Sequence, residues 1–153
     1  TQLKQRGVEV ARLTLHVGEG TFRPVRERDT DAIRLHSERF RLGAETSQAI
    51  AACRRRGNRV VAVGTTTVRG LESREIDQNG GPQPGEGRTT LFIAPGWRFR
   101  YVDALITNFH LPQSTLLMLV CAFAGRESTL DAYGAAVREG YRFYSYGDAM
   151  LIV

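Results

Sequence analysis

Four short stretches of this chain gather side chains with acid/base, hydroxyl or anion-binding chemistry close to glycine or proline. In HVGEGTFRPV, residues 16 to 25, an alternating segment delivers His16 to its end. Gly18 and Gly20 let backbone approach a ligand, and Thr21 adds a hydroxyl. A glycine turn beside a structural histidine would have the same appearance. In VAVGTTTVRGLES, residues 61 to 73, an apolar run meets a glycine. Thr65, Thr66 and Thr67 then open a helical segment, with Arg69 a turn later. Free N–H groups at such a start, together with three hydroxyls, suit a phosphate or carboxylate, although capping alone needs only one threonine. The pattern lacks the lysine of a P-loop. In VDALITNFHLPQST, residues 102 to 115, Asp103 opens an apolar run that leads to Asn108 and His110. Pro112 sets a turn, and Ser114 or Thr115 can cap the next helix. The fourth stretch, YRFYSYGDAM at 141 to 150, interleaves aromatics with Arg142 and ends on Gly147 and Asp148. Tyr146 could stack on a base or face an onium cation, while Phe143 reads more readily as core.

Metal chemistry has little support. His36 and Glu38 in RLHSE would share a strand face if extended, but two groups are too few ligands. Cys53 and Cys121 are far apart, and no CxxC or HExxH spacing occurs. Both cysteines read as reduced thiols.

The elements that must position these groups can be read from periodicity. The opening residues look like the tail of a helix stopped at Gly7, followed by a strand over Val8–Val17. Residues 21 to 41 read as loop and short strands. Ala44–Arg56 has helical periodicity with Gly57 as its stop, and Arg59–Val63 reads as a short buried strand. A helix over Val68–Ser73 precedes residues 77 to 90, whose glycines and prolines predict a flexible excursion within one domain of 153 residues. Strands over Thr90–Ile93, Val102–Thr107 and Ala149–Val153, with helices over Ser114–Ala124 and Leu130–Glu139, complete an α/β pattern. A mixed or mostly parallel sheet flanked by helices is expected.

Composition sets the outer bounds. Hydrophobic residues are 42% and charged residues 24%, which fits a globular domain and excludes a disordered or collagenous chain. The longest apolar run, Leu116–Ala124, is about half the length of a membrane span. Net charge is +5, and residues 1 to 63 hold 13 basic groups against 7 acidic ones. A polyanionic partner would be met there. All basic residues but Lys4 are arginine, which suits bidentate phosphate contacts but also follows from genome base composition.

Taken together, TLHVGEGTFRPV, GNRVVAVGTTTVRGLES, TTLFIAPGWRF, VDALITNFHLPQSTLLMLVCAFAG and YRFYSYGDAML resemble the S-adenosylmethionine:tRNA ribosyltransferase-isomerases of bacterial queuosine biosynthesis, in order and spacing. Departures are conservative: Leu35 stands where Met is usual, Trp97 for Tyr, Cys121 for Ser and Tyr144 for Phe. The family protein is considerably longer, so the resemblance implies the C-terminal portion of a larger catalytic α/β domain, with an upstream half and a β-barrel-like region outside this chain. It implies transfer and isomerisation of the ribosyl moiety of S-adenosylmethionine onto 7-aminomethyl-7-deazaguanine at the tRNA wobble position. The products are epoxyqueuosine, adenine and methionine. S-adenosylmethionine is then a cosubstrate, no cofactor is required, and a cytoplasmic monomer free of membrane is expected. On this reading His110, His16, Asp148 and Asp103 are the acid/base candidates. Gly18, Gly20, Thr21, Thr65, Thr66, Thr67, Arg69, Trp97, Asn108, Ser114, Thr115 and Tyr146 are candidate substrate contacts. Arg23, Arg54, Arg55 and Arg56 would meet the tRNA backbone. A noncatalytic tRNA-binding fragment is the competing reading. A phosphate-binding hydrolase ranks below both, for want of a nucleophile elbow or P-loop.

Overall fold

A computed structural model describes residues 2 to 18 and 35 to 153. The elements run α1 (Gln2–Gln5), β1 (Leu13–His16), β2 (Glu38–Leu42), α2 (Ala44–Arg55), β3 (Val61–Val63), α3 (Thr65–Glu72), β4 (Gly85–Thr89), β5 (Ala104–Asn108), α4 (Thr115–Ala124), α5 (Arg126–Arg138) and β6 (Ala149–Ile152). The expected mixed sheet flanked by helices is present, divided in two. One sheet, β1-β2-β4, is wholly antiparallel. In the other, β3-β5-β6, β3 and β5 run parallel while β6 returns antiparallel. Parallel pairing among the described residues is thus confined to one strand pair.

Each helix follows from local sequence. In α2, Thr46, Ser47, Ile50 and Ala51 form one buried stripe. Glu45 lies in the first turn and Arg54 and Arg55 in the last, the polarity that suits a helix dipole. In α4 the Ser114 hydroxyl accepts the Leu117 N–H at 3.1 Å, and Leu116, Leu119 and Val120 face inward. Gly125, at φ 83°, ends α4 and begins α5, so the two helices fold back on each other.

The main core joins both sheets. Leu42 from β2, Ile50 from α2, Val68 and Leu71 from α3, Leu105 from β5 and Leu119 from α4 pack together with Ile93, Tyr101 and Val102. A second cluster, Phe109, Tyr133 and Ala136 with Leu117, Phe143 and Met150 packed against it, gathers where β5 ends. Beside the main core lies Glu72, fully buried, whose carboxylate accepts the backbone N–H groups of Arg100, Tyr101 and Val102. That one side chain substitutes for a strand partner along the irregular approach to β5.

Several expectations from periodicity are corrected. The first strand is limited to Leu13–His16. Only Ala62 of β3 is buried, with Val63 67% exposed, so this strand is not buried on both faces. Helix α3 starts at Thr65, three residues earlier than predicted, and α5 starts at Arg126. Residues 90 to 93 form no strand, and the 77–90 excursion is organised. Asp77 accepts the N–H groups of Asn79 and Gly81 and the Ser47 hydroxyl, Ile76 bridges Pro82, and Gly85–Thr89 pairs with β2. Burial tends to raise the Asp77 carboxyl, but these hydrogen bonds outweigh it and hold the group below its ordinary value. His36 is exposed while Glu38 is buried, so the two do not act as a pair.

Candidate active site

The carboxyl end of β5 is the richest in chemistry. Strand geometry carries Asn108 outward and Thr107 inward, and the chain then turns through Phe109 to His110. His110 is buried. Its Nε2 lies 2.9 Å from the Thr107 hydroxyl, and its backbone N–H donates to the Tyr133 hydroxyl at 2.8 Å. Burial lowers the His110 pKa to about 4, so the imidazole is neutral at neutral pH. Tyr133 was not indicated by the sequence reading. A single tyrosine on an amphipathic helix has no signal that separates it from core, and only the fold brings it to His110 from 23 residues away. Burial also raises the Tyr133 phenol.

The segment before β6 folds onto this end. The Asn108 side-chain amide donates to the Asp148 carbonyl at 3.2 Å, and the Tyr144 N–H donates to the Phe109 carbonyl at 2.9 Å. Phe109 contacts Tyr133, Tyr141 and Phe143, with ring centroids 5.4 to 5.6 Å apart. Arg142 clasps Asp148 through Nε at 3.1 Å and Nη2 at 3.2 Å. These side-chain bonds, reinforced by the Arg142 backbone N–H, hold the Asp148 carboxyl below its ordinary value. Asp148 is therefore an ionised anchor at neutral pH and a poor proton carrier. Tyr146 stands 73% exposed beside it in sequence, free to stack. The structure thus joins the third and fourth stretches.

The second stretch lies at the same end of the sheet. Parallel pairing of β3 with β5 continues through the Gly64 N–H to the Ile106 carbonyl at 2.8 Å, and α3 begins directly after. Gly64, at φ 89°, provides no side-chain cap to the first turn, where Thr65 is buried and Thr66 and Thr67 are partly exposed. The Thr67 hydroxyl is engaged by the Val63 carbonyl at 2.7 Å. Arg69 is not part of an anion cradle. It is 3% exposed, its Nη1 lies 2.6 Å from Glu38 Oε2, and its Nε donates to the Leu91 carbonyl.

That ion pair instead ties in the first stretch. Glu38 Oε1 accepts the Gly18 N–H at 3.0 Å, so one buried carboxylate links the end of β1 to α3. Leu13 packs against Gly70 nearby, where a methyl group would sit 2.9 Å from the leucine. His16 lies on the exposed face of β1, opposite Arg39. Gly20, Thr21 and Arg23 lie outside the described residues.

Other candidates are placed elsewhere or otherwise engaged. Asp103 sits where β5 begins, at the opposite end of the strand from His110, and accepts the Val60 N–H at 2.8 Å. It acts as a backbone clasp there. The Ser114 hydroxyl both accepts from Leu117 and donates to the Leu111 carbonyl, which uses it as a helix cap. Thr115 is buried. Trp97 is partly buried against the main core, with its Nε1 buried. Arg54, Arg55 and Arg56 are exposed where the chain approaches β3, at the far end of the sheet from His110. Arg55 reaches the Asn79 carbonyl and Arg56 reaches Glu9. Among the described residues no three His, Cys, Asp or Glu side chains are grouped as metal ligands, and no helix is long and apolar enough to cross a membrane.

Comparison with known proteins matches these segments as a set. A family described as queuosine biosynthesis protein matches residues 1 to 152. An S-adenosylmethionine:tRNA ribosyltransferase-isomerase of Pelobacter propionicus is 60% identical over 151 residues, covering 99% of this chain and 44% of the relative. One of the same description from Gluconacetobacter diazotrophicus is 60% identical over 146 residues, covering 95% of this chain and 41% of the relative. The crystal structure of an S-adenosylmethionine tRNA ribosyltransferase from Thermotoga maritima superposes with a TM-score of 0.79 at 47% identity, over 99% of this chain and 47% of that one. The chain therefore spans less than half the length of these relatives, and within that span it belongs to the queuosine biosynthesis protein family.

Proposed function

We propose that this chain supplies part of the active site of an S-adenosylmethionine-dependent tRNA ribosyltransferase-isomerase. The reaction moves the ribosyl moiety of S-adenosylmethionine onto 7-aminomethyl-7-deazaguanine in tRNA, yielding epoxyqueuosine with release of adenine and methionine. The observation that carries the reading is the convergence, at one end of the β3–β5 pair, of three sequence segments within a chain 60% identical to a relative so described.

The chemistry divides among the gathered groups. The sulfonium of the donor acidifies the carbon beside it, and a base must take that proton. His110 is held neutral by burial, so one of its ring nitrogens is unprotonated at neutral pH, and Thr107 and Tyr133 fix its place. The uncapped first turn of α3 suits the methionine carboxylate. Asn108 and Tyr146 lie where a ribose or base edge would be met, and the ionised Asp148 holds the loop that carries Tyr146.

Replacing His110 with Ala in the full-length protein tests the central role. Adenine release from S-adenosylmethionine, in the presence of tRNA carrying the modified base, is expected to fall at least about a hundredfold with tRNA binding retained. Near-normal release removes His110 from the chemistry. Salt-dependent tRNA binding by the wild-type protein, without adenine release, would favour a binding module instead.

A further inference from the structure

The antiparallel sheet has a face that the reaction chemistry above does not use. Alternation along β2 buries Glu38, Phe40 and Leu42 and turns Arg39 and Arg41 to solvent. The paired strands add His16 and Thr14 from β1, and Arg88 and Glu86 from β4. Together they line an open groove of about 480 Å³.

Register divides this face into two rows. In one, Thr14, Arg41 and Glu86 stand opposite one another, and Arg41 pairs with Glu86 at 3.7 Å. In the other, His16, Arg39 and Arg88 are directly opposed, with no carboxylate in the row. Arg39 has no ion-pair partner among the described residues. Arg88 is fixed by the Ser37 hydroxyl and carbonyl, which accept from its Nε and Nη2. Like charges directly across two strands destabilise a sheet, and side chains in that position lie only about 5 Å apart at Cβ. An anion between two guanidinium groups turns the repulsion into two charge-assisted contacts. The neighbouring row shows how the same sheet neutralises an arginine when only structure is at stake.

We propose that the Arg39–Arg88 row binds the sugar–phosphate backbone of RNA. The groove is solvent-open and rich in arginine, which fits a repeating polyanion better than a small enclosed ligand. This assignment rests on the proposed tRNA substrate and gives it a docking surface, distinct from Arg54, Arg55 and Arg56 at the C-terminal end of α2.

The test uses the full-length protein and an unmodified tRNA transcript, with affinity measured across a salt series. The double variant Arg39→Gln/Arg88→Gln is expected to weaken binding at least about tenfold at low salt and to reduce the salt slope by about two. Glu86→Gln, which removes the acidic side chain of the groove, is expected to tighten binding about two- to threefold. That gain cannot arise from misfolding, so it decides the matter if the double variant is unstable. Unchanged slope and affinity in both variants, with adenine release intact, would overturn the surface and leave the proposed reaction standing. Such a result would mean that another part of the protein covers this face. Failure of the wild-type protein to bind tRNA in a salt-dependent way would overturn both.

Discussion

The antiparallel sheet and the mixed sheet each bury an ionisable group beside a sequence motif, and they do so by different means. Glu38, at the start of β2, has its carboxylate within 2.6 Å of Arg69 and accepts the Gly18 N–H. His110, just beyond β5, has no carboxylate beside it. It sits among Thr107, Tyr133 and the Phe109 cluster and sheds its charge, with a pKa lowered to about 4. Pairing preserves a charge at the cost of depending on a partner; neutralisation needs no partner but makes the site depend on pH. The first arrangement suits a joint between elements, and the second suits a group that must handle protons.

The largest effect should come from breaking the pair. Arg69→Ala leaves the Glu38 carboxylate buried against β1 and α3, and stability should drop by about 3–5 kcal/mol in urea unfolding. Replacing both groups together, as Glu38→Gln with Arg69→Met, removes the stranded charge and should recover much of that loss. Losses that simply add in the double variant would show that the two side chains act separately and that their pairing does not weld β1 to α3.

The neutralised histidine makes a prediction of different form. Because its folded pKa is about 4 against an ordinary 6.5, the unfolded chain binds the extra proton first as pH falls. Stability is unaffected above pH 6.5 and declines between there and pH 4, at about 1.4 kcal/mol per unit and about 3 kcal/mol in all. His110→Asn should flatten that part of the profile, whereas the Glu38–Arg69 variants should leave its slope in place. Equal slopes in wild type and His110→Asn would show that the imidazole is not held neutral.

What the sequence revealed divides along the same line. Strands β3 and β5, though not their pairing, α2, α4 and the stretch around His110 were legible because apolar period, Gly64 and Ser114 mark them locally. The role of Arg69 was not, because an arginine one turn into a helix beside three threonines looks like an anion site until Glu38 is brought to it from 31 positions earlier in the sequence. Strand β4 was hidden for a related reason. Its GEGRT sequence carries turn residues, yet Gly87 lies opposite Phe40, whose ring would be 2.9 Å from any added methyl group. The glycine makes room for the aromatic ring across the strand, a demand visible only once the partner strand is known. Asp103 misled in the opposite direction: a carboxylate in a motif stretch turned out to clasp the Val60 N–H.

The smallest expected effect concerns the exposed ion pair, where neither pairing in the interior nor neutralisation applies. Asp148 is bound by Arg142 in solvent, and such pairs contribute little to global stability. Its carboxyl is depressed from 3.8, so its contribution is complete at neutral pH and is lost only as pH falls through the lower folded value. Asp148→Asn should therefore leave the unfolding midpoint near that of wild type. The change should be local: amide exchange at Arg142, whose N–H donates to Asp148, should accelerate, while Tyr144, bonded to the Phe109 carbonyl, should stay protected. Acceleration at both positions would show that the 141–148 loop opens as one unit. The Arg142–Asp148 clasp would then be what holds that loop onto the Phe109 end of β5.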